Sequence, residues 1–209
     1  MIRLIIATDP MGIIGIKYKH TEDGSPPVGE GGLPKEGEPR RNWVYRWKMP
    51  WHYKQDLRRF KKLTMGGVLI MGKTTWDSLP GPLPGRQHII LTHNPYGVWT
   101  DVDGDHAPDG CASANSLEEA LSYCGDQDVW IAGGSQVYQQ ALDFGCVEEI
   151  DHTIVPAVDV HDLQGVVDII RFNLGAVLDD YELVGEEKNP LDERLLHRRY
   201  RCPLPAFKS

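Results

Sequence analysis

The sequence predicts an α/β fold: a single domain with a central, mostly parallel twisted β-sheet flanked by helices, and a C-terminal antiparallel hairpin. Three observations carry that expectation. Five short apolar runs, each bounded by turn formers, have the length and content of buried strands. Helical patterns lie between them, and strands alternating with helices imply a parallel sheet covered on both faces. The tail from Tyr181 to Cys202 reads as two extended segments around the turn-prone pair Asn189-Pro190.

Taken in order, Ile2–Ala7 is an apolar strand that breaks at Asp9-Pro10, followed by Gly12-Ile-Ile-Gly15. Lys17 to Lys48 then holds five Gly and four Pro with mixed charges, and almost no periodicity until Trp43. Such a stretch predicts a long loop insertion at about 17–48 within one domain spanning 1–209. In Met49 to Leu63, a helix would place Tyr53, Asp56, Leu57 and Phe60 on one face at i, i+3, i+4 and i+7, with Lys54, Arg58, Arg59, Lys61 and Lys62 mostly toward solvent. Gly67–Met71 and His88–Thr92 are strands. Ser116 to Glu119 has capping-box spacing at a helix start. Asp128–Ala132 is a strand, Ser135–Phe144 a helix with Val137, Ala141 and Leu142 on one face, and Ile150–Val155 a further strand.

Composition excludes several function classes. With 41% apolar and 25% charged residues, the chain resembles ordinary soluble domains. A net charge of −8 and a pI near 5.4 argue against a general nucleic-acid binder, which needs a basic field. No apolar run reaches membrane-spanning length. The N-terminal apolar run is not a signal peptide, so no membrane association and a cytoplasmic location are expected. Cys111, Cys124, Cys146 and Cys202 form no C-x-x-C pair, which suggests neither zinc nor a redox couple; no metal is expected.

Four segments could carry chemistry. Asp56 lies within an apolar stripe, where a carboxylate is costly unless partnered. It is either a helix-edge residue bonded to nearby backbone, or a carboxylate at the floor of a pocket that accepts a ligand's paired N–H donors. Gly133-Gly134, between a strand and a helix, is either a tight turn or a close approach for an anion at the helix start. Met71-Gly-Lys-Thr-Thr-Trp76 offers Lys73 and the hydroxyls of Thr74 and Thr75 to an anion. Its formal match to a phosphate-binding loop, Gly67 to Thr74, fails because Val68-Leu-Ile-Met71 is a buried strand rather than a flexible wrap. Pro80-Gly-Pro-Leu-Pro-Gly-Arg86 delivers Arg86 beside a stiff turn, as a carboxylate clamp or as a plain surface residue.

Together and in this order, these motifs resemble the dihydrofolate reductase family. The matching pieces are Ala7 with Gly12-Ile-Ile-Gly15, Met49-Pro-Trp51 with Asp56 and Phe60, Met71 to Trp76, Pro82-Leu-Pro-Gly-Arg86, Ile131-Ala-Gly-Gly134 with Val137-Tyr138, and Thr153. The resemblance covers nearly the whole chain apart from Lys17–Lys48 and the loop Tyr96–Asn115. It implies NADPH-dependent reduction of dihydrofolate to tetrahydrofolate by a monomer. It also implies a catalytic group of Asp56, Trp51 and Thr153, with Asp56 on the pterin's 2-amino group and N3. Ile5, Ile6, Leu57, Phe60, Leu79 and Leu83 would line the substrate pocket, and Arg86 would pair with the glutamate carboxylate. The cofactor would be held by Ala7, Ile14, Gly15, Gly72, Lys73, Thr74, Thr75, Thr92, His93, Gly133, Gly134, Ser135, Gln136, Val137 and Tyr138. Lys73, Thr92 and His93 would lie nearest the 2′-phosphate, and a cis Gly133–Gly134 peptide is implied. Two alternatives are a catalytically idle folate-binding or assembly protein and a same-fold reductase of a riboflavin precursor.

Overall fold

The computed structural model describes residues 1–21, 43–94, 107–160, 163 and 165–203. In chain order the strands are β1 (Ile2–Thr8), β2 (Ile13–Thr21), β3 (Trp43–Lys48), β4 (Val68–Gly72), β5 (Gln87–Leu91), β6 (Cys111–Ala114), β7 (Val129–Ile131), β8 (Glu149–Ile154), β9 (Val166–Arg171), β10 (Glu182–Asn189) and β11 (Asp192–Arg201). The helices are α1 (Lys54–Thr64), α2 (Lys73–Asp77), α3 (Leu117–Ser122), α4 (Ser135–Asp143) and α5 (Gly175–Leu178).

Eight strands form one sheet in the order β10-β11-β8-β1-β7-β4-β5-β6. Every pairing from β8 to β6 is parallel; the two that add β11 and β10 are antiparallel. The expected parallel sheet with a terminal hairpin is therefore present. Burial on both faces explains why its central strands are continuous apolar runs: Val68, Leu69, Ile70 and Met71 of β4 are all at or below 1% exposure. On one face, Leu4 and Ile6 of β1 pack with Val137, Tyr138 and Ala141 of α4 and Leu117 and Ala120 of α3. On the other, Ile5 packs with Leu69, Met71 and Trp130, beneath Phe60 and Leu63 of α1 and Leu79 and Leu83.

The expected loop at 17–48 is corrected at both of its ends. Lys17–Thr21 continues β2, and Trp43–Lys48 is β3, paired antiparallel from Ile16↔Lys48 to Thr21↔Trp43. The strand β9, absent from the sequence expectation, adds to the other edge of β2, giving a second, three-stranded sheet β3-β2-β9. Lysines sit over aromatic rings across the ribbon, Lys17 over Trp47 at 5.2 Å and Lys48 over Tyr18 at 4.4 Å. Cross-strand contacts of this kind stabilise a polar ribbon without a deep core. The glycine- and proline-rich middle of the insertion, and residues 96–106 of the loop expected at 96–115, lie outside the described residues. The described end of that loop is corrected, because Cys111–Ala114 forms β6, parallel to β5.

The C-terminal hairpin closes on an Asx turn: the Asn189 side-chain oxygen accepts from the backbone N–H of Leu191 at 2.9 Å and of Asp192 at 3.2 Å. The β10–β11 register is broken at Leu183/Gly185 and at Lys188/Asn189. Among the described residues, no helix is long and apolar enough to cross a membrane.

Candidate active site

A cleft of about 710 Å³ opens where β1, β4, β7 and β8 end against α1, α2 and α4. Its floor is made by α1. That helix starts at Lys54, just beyond Pro50, and Asp56 is the buried residue of its first turn. The apolar stripe anticipated in the sequence is there, with Phe60 and Leu63 half-buried against the core. Leu57 is 40% exposed because its side of the stripe faces the cleft instead of the core.

Asp56 is only 8% exposed, and its burial pushes the carboxyl above the ordinary carboxylate range. Two neighbours oppose that shift: a hydrogen bond from the Thr153 hydroxyl and the charge of Arg59. Arg59 is not on the solvent side, as expected from its position among lysines. It turns inward to an ion pair with Asp151 of β8. The pairing of Asp56 with Thr153 brings together the helix floor and the last parallel strand of the sheet. Thr153 lies beside Ala7 in the β1–β8 register.

The opposite wall is the β7–α4 junction. Gly133 and Gly134 are joined by a cis peptide, and Gly133 has φ +105°. A side chain on Gly133 would meet the Tyr138 hydroxyl at 3.1 Å, so only glycine lets the backbone pass there. The Gly133 carbonyl accepts from the Gly72 N–H at 2.8 Å, which ties the β7 end to the β4 end. No side chain caps α4, so its first-turn N–H groups keep their capacity for an anion. Tyr138 donates its hydroxyl to the Ile5 carbonyl at 2.8 Å, and burial together with the Asp56 charge holds that phenol protonated.

Of the residues expected in the site, nearly all line this one cleft: Asp56 and Thr153; Ile5, Ile6, Leu57, Phe60, Leu79 and Leu83; and the whole cofactor-side group from Ala7 and Ile14 to Tyr138. Two do not. Trp51 lines a second groove, with Tyr53 and Arg194. Its indole N–H is buried and has no acceptor among the described residues, so a water or ligand atom must serve it. Arg86 stands at the rim, its guanidinium 5.9 Å above the Phe60 ring and bonded to the Thr64 hydroxyl at 3.3 Å. Lys73 lines the cleft but is paired with Asp77 one turn on, at 2.6 Å.

Sequence reasoning missed several cleft residues. Ile16, Trp47, Lys48 and Ile170 come from the three-stranded sheet and close the nicotinamide-side mouth expected beside Gly15. Arg59 could have been found from its i+3 spacing to Asp56. The four cysteines are all free thiols. Among the described residues no group of His, Cys, Asp and Glu is arranged to hold a metal.

Comparison with known proteins agrees with this geometry. Residues 45–193 match the family model described as dihydrofolate reductase. The dihydrofolate reductase of Neisseria meningitidis serogroup A is 37% identical over 121 residues, 53% of this chain and 69% of that protein. That of Mycobacterium leprae is 36% identical over 126 residues, covering 53% and 71%. The Bacillus subtilis enzyme is 29% identical over 151 residues, covering 71% and 81%. In fold, the chain is similar to a solved dihydrofolate reductase from Enterococcus faecalis complexed with NADP(H), with a TM-score of 0.64 at 23% identity, over 98% of this chain and 97% of that one. A match across most of the chain, which takes in the elements that carry Asp56, Gly133, Gly134 and Thr153, places this protein in the dihydrofolate reductase family.

Proposed function

We propose that this chain is an NADPH-dependent dihydrofolate reductase that forms 5,6,7,8-tetrahydrofolate from 7,8-dihydrofolate. The single observation that carries the reading is a carboxylate buried at the floor of a mostly apolar cleft, facing a glycine-lined helix start across it. A flat heterocycle with adjacent N–H donors satisfies the first feature, and a phosphate-bearing cofactor the second. The donor set fits NADPH: Lys73, the hydroxyls of Thr74, Thr75, Thr92 and Ser135, and the uncapped start of α4 all border one space.

NADPH, when bound, supplies the hydride. The chain's own residues orient and shield. Asp56, ionised, accepts two N–H bonds from the pterin in a bidentate arrangement. Thr153 keeps one carboxylate oxygen in place. Phe60, Leu57, Ile5, Leu79 and Leu83 pack the ring system and exclude bulk water, which strengthens the Asp56 contact. The Trp51 indole holds a solvent molecule near the ring, and solvent supplies the proton that N5 must gain. Arg86 pairs with a tail carboxylate at the rim. Ala7, Ile14 and Gly15 confine the nicotinamide so that the two rings meet in contact.

The remaining expectations travel with this reading: a monomer, in the cytoplasm, with no nucleic-acid partner. An idle folate-binding protein would keep the fold but lose turnover, and a riboflavin-pathway reductase would reject dihydrofolate. Following the loss of NADPH absorbance with dihydrofolate decides among the three. Turnover that needs both compounds is the expected result, and its absence would overturn the proposal.

A further inference from the structure

The hydrogen bonding behind Thr153 fixes more than its own position. Thr153 of β8 lies opposite His197 of β11 in the antiparallel register, and both are 3% exposed. The Thr153 hydroxyl oxygen is 3.1 Å from His197 Nδ1, and His197 Nε2 is 3.0 Å from the Asn189 side-chain nitrogen. The Asn189 amide has its orientation set independently, because its oxygen accepts from the N–H of Leu191 and of Asp192. Its NH₂ group therefore faces His197, and Nε2 must be the acceptor. The ring proton then sits on Nδ1 and is donated to the Thr153 oxygen. Thr153 has one hydroxyl proton, and with its oxygen already accepting from His197 that proton goes to Asp56.

We propose that His197 is a positioning residue for substrate binding: locked as the Nδ1–H tautomer by the Asn189 amide, it commits the Thr153 hydroxyl proton to Asp56. The inference rests on the reading of Asp56 as the substrate anchor. The role needs a neutral ring, because a protonated Nε2 would meet the Asn189 NH₂ donor to donor. Burial and the charge of Arg59 from α1 favour the neutral ring, against the opposite pull of Glu187 from β10 and Asp151 from β8. Without the His197 donor, the Thr153 hydroxyl is free to rotate to another acceptor. Asp56 then loses the bond that favours its ionised form, while its burial stays.

Two substitutions separate this role from simple packing. In His197→Asn the side-chain nitrogen takes the place of Nδ1 and still donates to Thr153. In His197→Gln the amide takes the place of Nε2, which keeps the Asn189 contact and loses the Thr153 one. Kinetics with dihydrofolate and NADPH across pH should show the acid limb of kcat/KM displaced upward by about one pH unit in His197→Gln, with the KM for dihydrofolate raised more than kcat falls. His197→Asn should keep the limb close to the parent's. Equal displacement in both variants, or none in either, overturns the proposal. Nitrogen-15 NMR of the histidine rings in the unmodified, complete protein tests it without any variant. A protonated Nδ1 and a bare Nε2 on His197 near neutral pH are expected, and the opposite tautomer refutes the role. Failure of the unmodified chain to reduce dihydrofolate is a separate outcome: it would remove the substrate role with the function itself, and leave the tautomer measurement standing.

Discussion

Replacing Asp56 with Asn tests the functional reading most directly. The substitution keeps the shape of a side chain that is 8% exposed, so no cavity opens. It removes the charge, and it turns one of two acceptor atoms into a donor facing a pterin donor. Losing one charge-assisted bond and weakening the other to a neutral one amounts to about 3 kcal/mol of transition-state stabilisation, taking about 1.5–3 kcal/mol for the first and about 1 for the second. That corresponds to a fall in kcat/KM of about a hundredfold or more. Stability should move the other way. The folded pKa of Asp56 lies above its ordinary 3.8, so the folded state binds the proton more tightly than the unfolded one. The parent therefore loses stability as pH rises from near 3.8 through the folded pKa, and stays penalised at neutral pH. Asn carries no such penalty. A folded Asp56→Asn protein at neutral pH should be no less stable than the parent to urea, yet nearly inactive in steady-state NADPH oxidation. Turnover within about threefold of the parent would remove Asp56 from the site.

Three further outcomes are expected. Lys73→Ala should raise the KM for NADPH with much less effect on NADH, by a factor matching about 1.5 kcal/mol, the low end for a charged contact because Lys73 already pairs with Asp77; equal efficiency with both cofactors in the parent refutes the assignment. Deleting residues 22–42 and joining Thr21 to Trp43 by Asn-Gly should leave the fold intact, because those two residues are register partners that a two-residue hairpin turn can connect; loss of the folded circular-dichroism spectrum would make the insertion structural. His152, bonded to Thr8 at 2.9 Å, has its pKa pushed down to about 4 by burial and then by Arg198. Its contribution is complete above its ordinary 6.5 and is lost as pH falls from there to about 4, on the order of 3 kcal/mol. Urea unfolding of His152→Gln should show a correspondingly shallower loss of stability over that interval, and identical slopes in the two proteins would contradict this.

The parts legible in the sequence are those where one local pattern determines one outcome. The strands β1, β4, β5, β7 and β8 announced themselves because burial on both faces demands unbroken apolar runs, as in Val68 to Met71; the edge strand β6, only partly buried, did not. Ser116 capped α3 as its spacing required, accepting from the Glu119 N–H at 3.1 Å. The turn-prone Asn189-Pro190 did close a hairpin. What could not be read locally was pairing. The ends of β2 and β3 carry Lys17, Lys19, Arg46 and Lys48, and read as a loop, because that ribbon is held by cross-strand contacts and not by burial. In the site, the apolar stripe exposed Asp56 as anomalous, and the family resemblance supplied Thr153. His197 and the Asp151 partner of Arg59 were missed because Thr153, Asn189 and Asp151 are distant in sequence from the residues they meet, and come together only through packing and sheet register.

The ends of the large sheet have a consequence for behaviour in concentrated solution. An open strand edge is a template on which another copy can add its own strand, and such growth leads to aggregates. Here both edges are blunted. On one side β6 has four residues, too short to offer a long ladder. On the other, β10 carries Glu182, Glu186, Glu187 and Lys188, and its two register breaks bend it away from flat pairing. The small sheet follows the same rule, since its outer strand β3 bears Arg46 and Lys48, both exposed. The charge and irregularity of this eight-stranded sheet thus sit on the strands at its edges, where they work against edge-to-edge pairing.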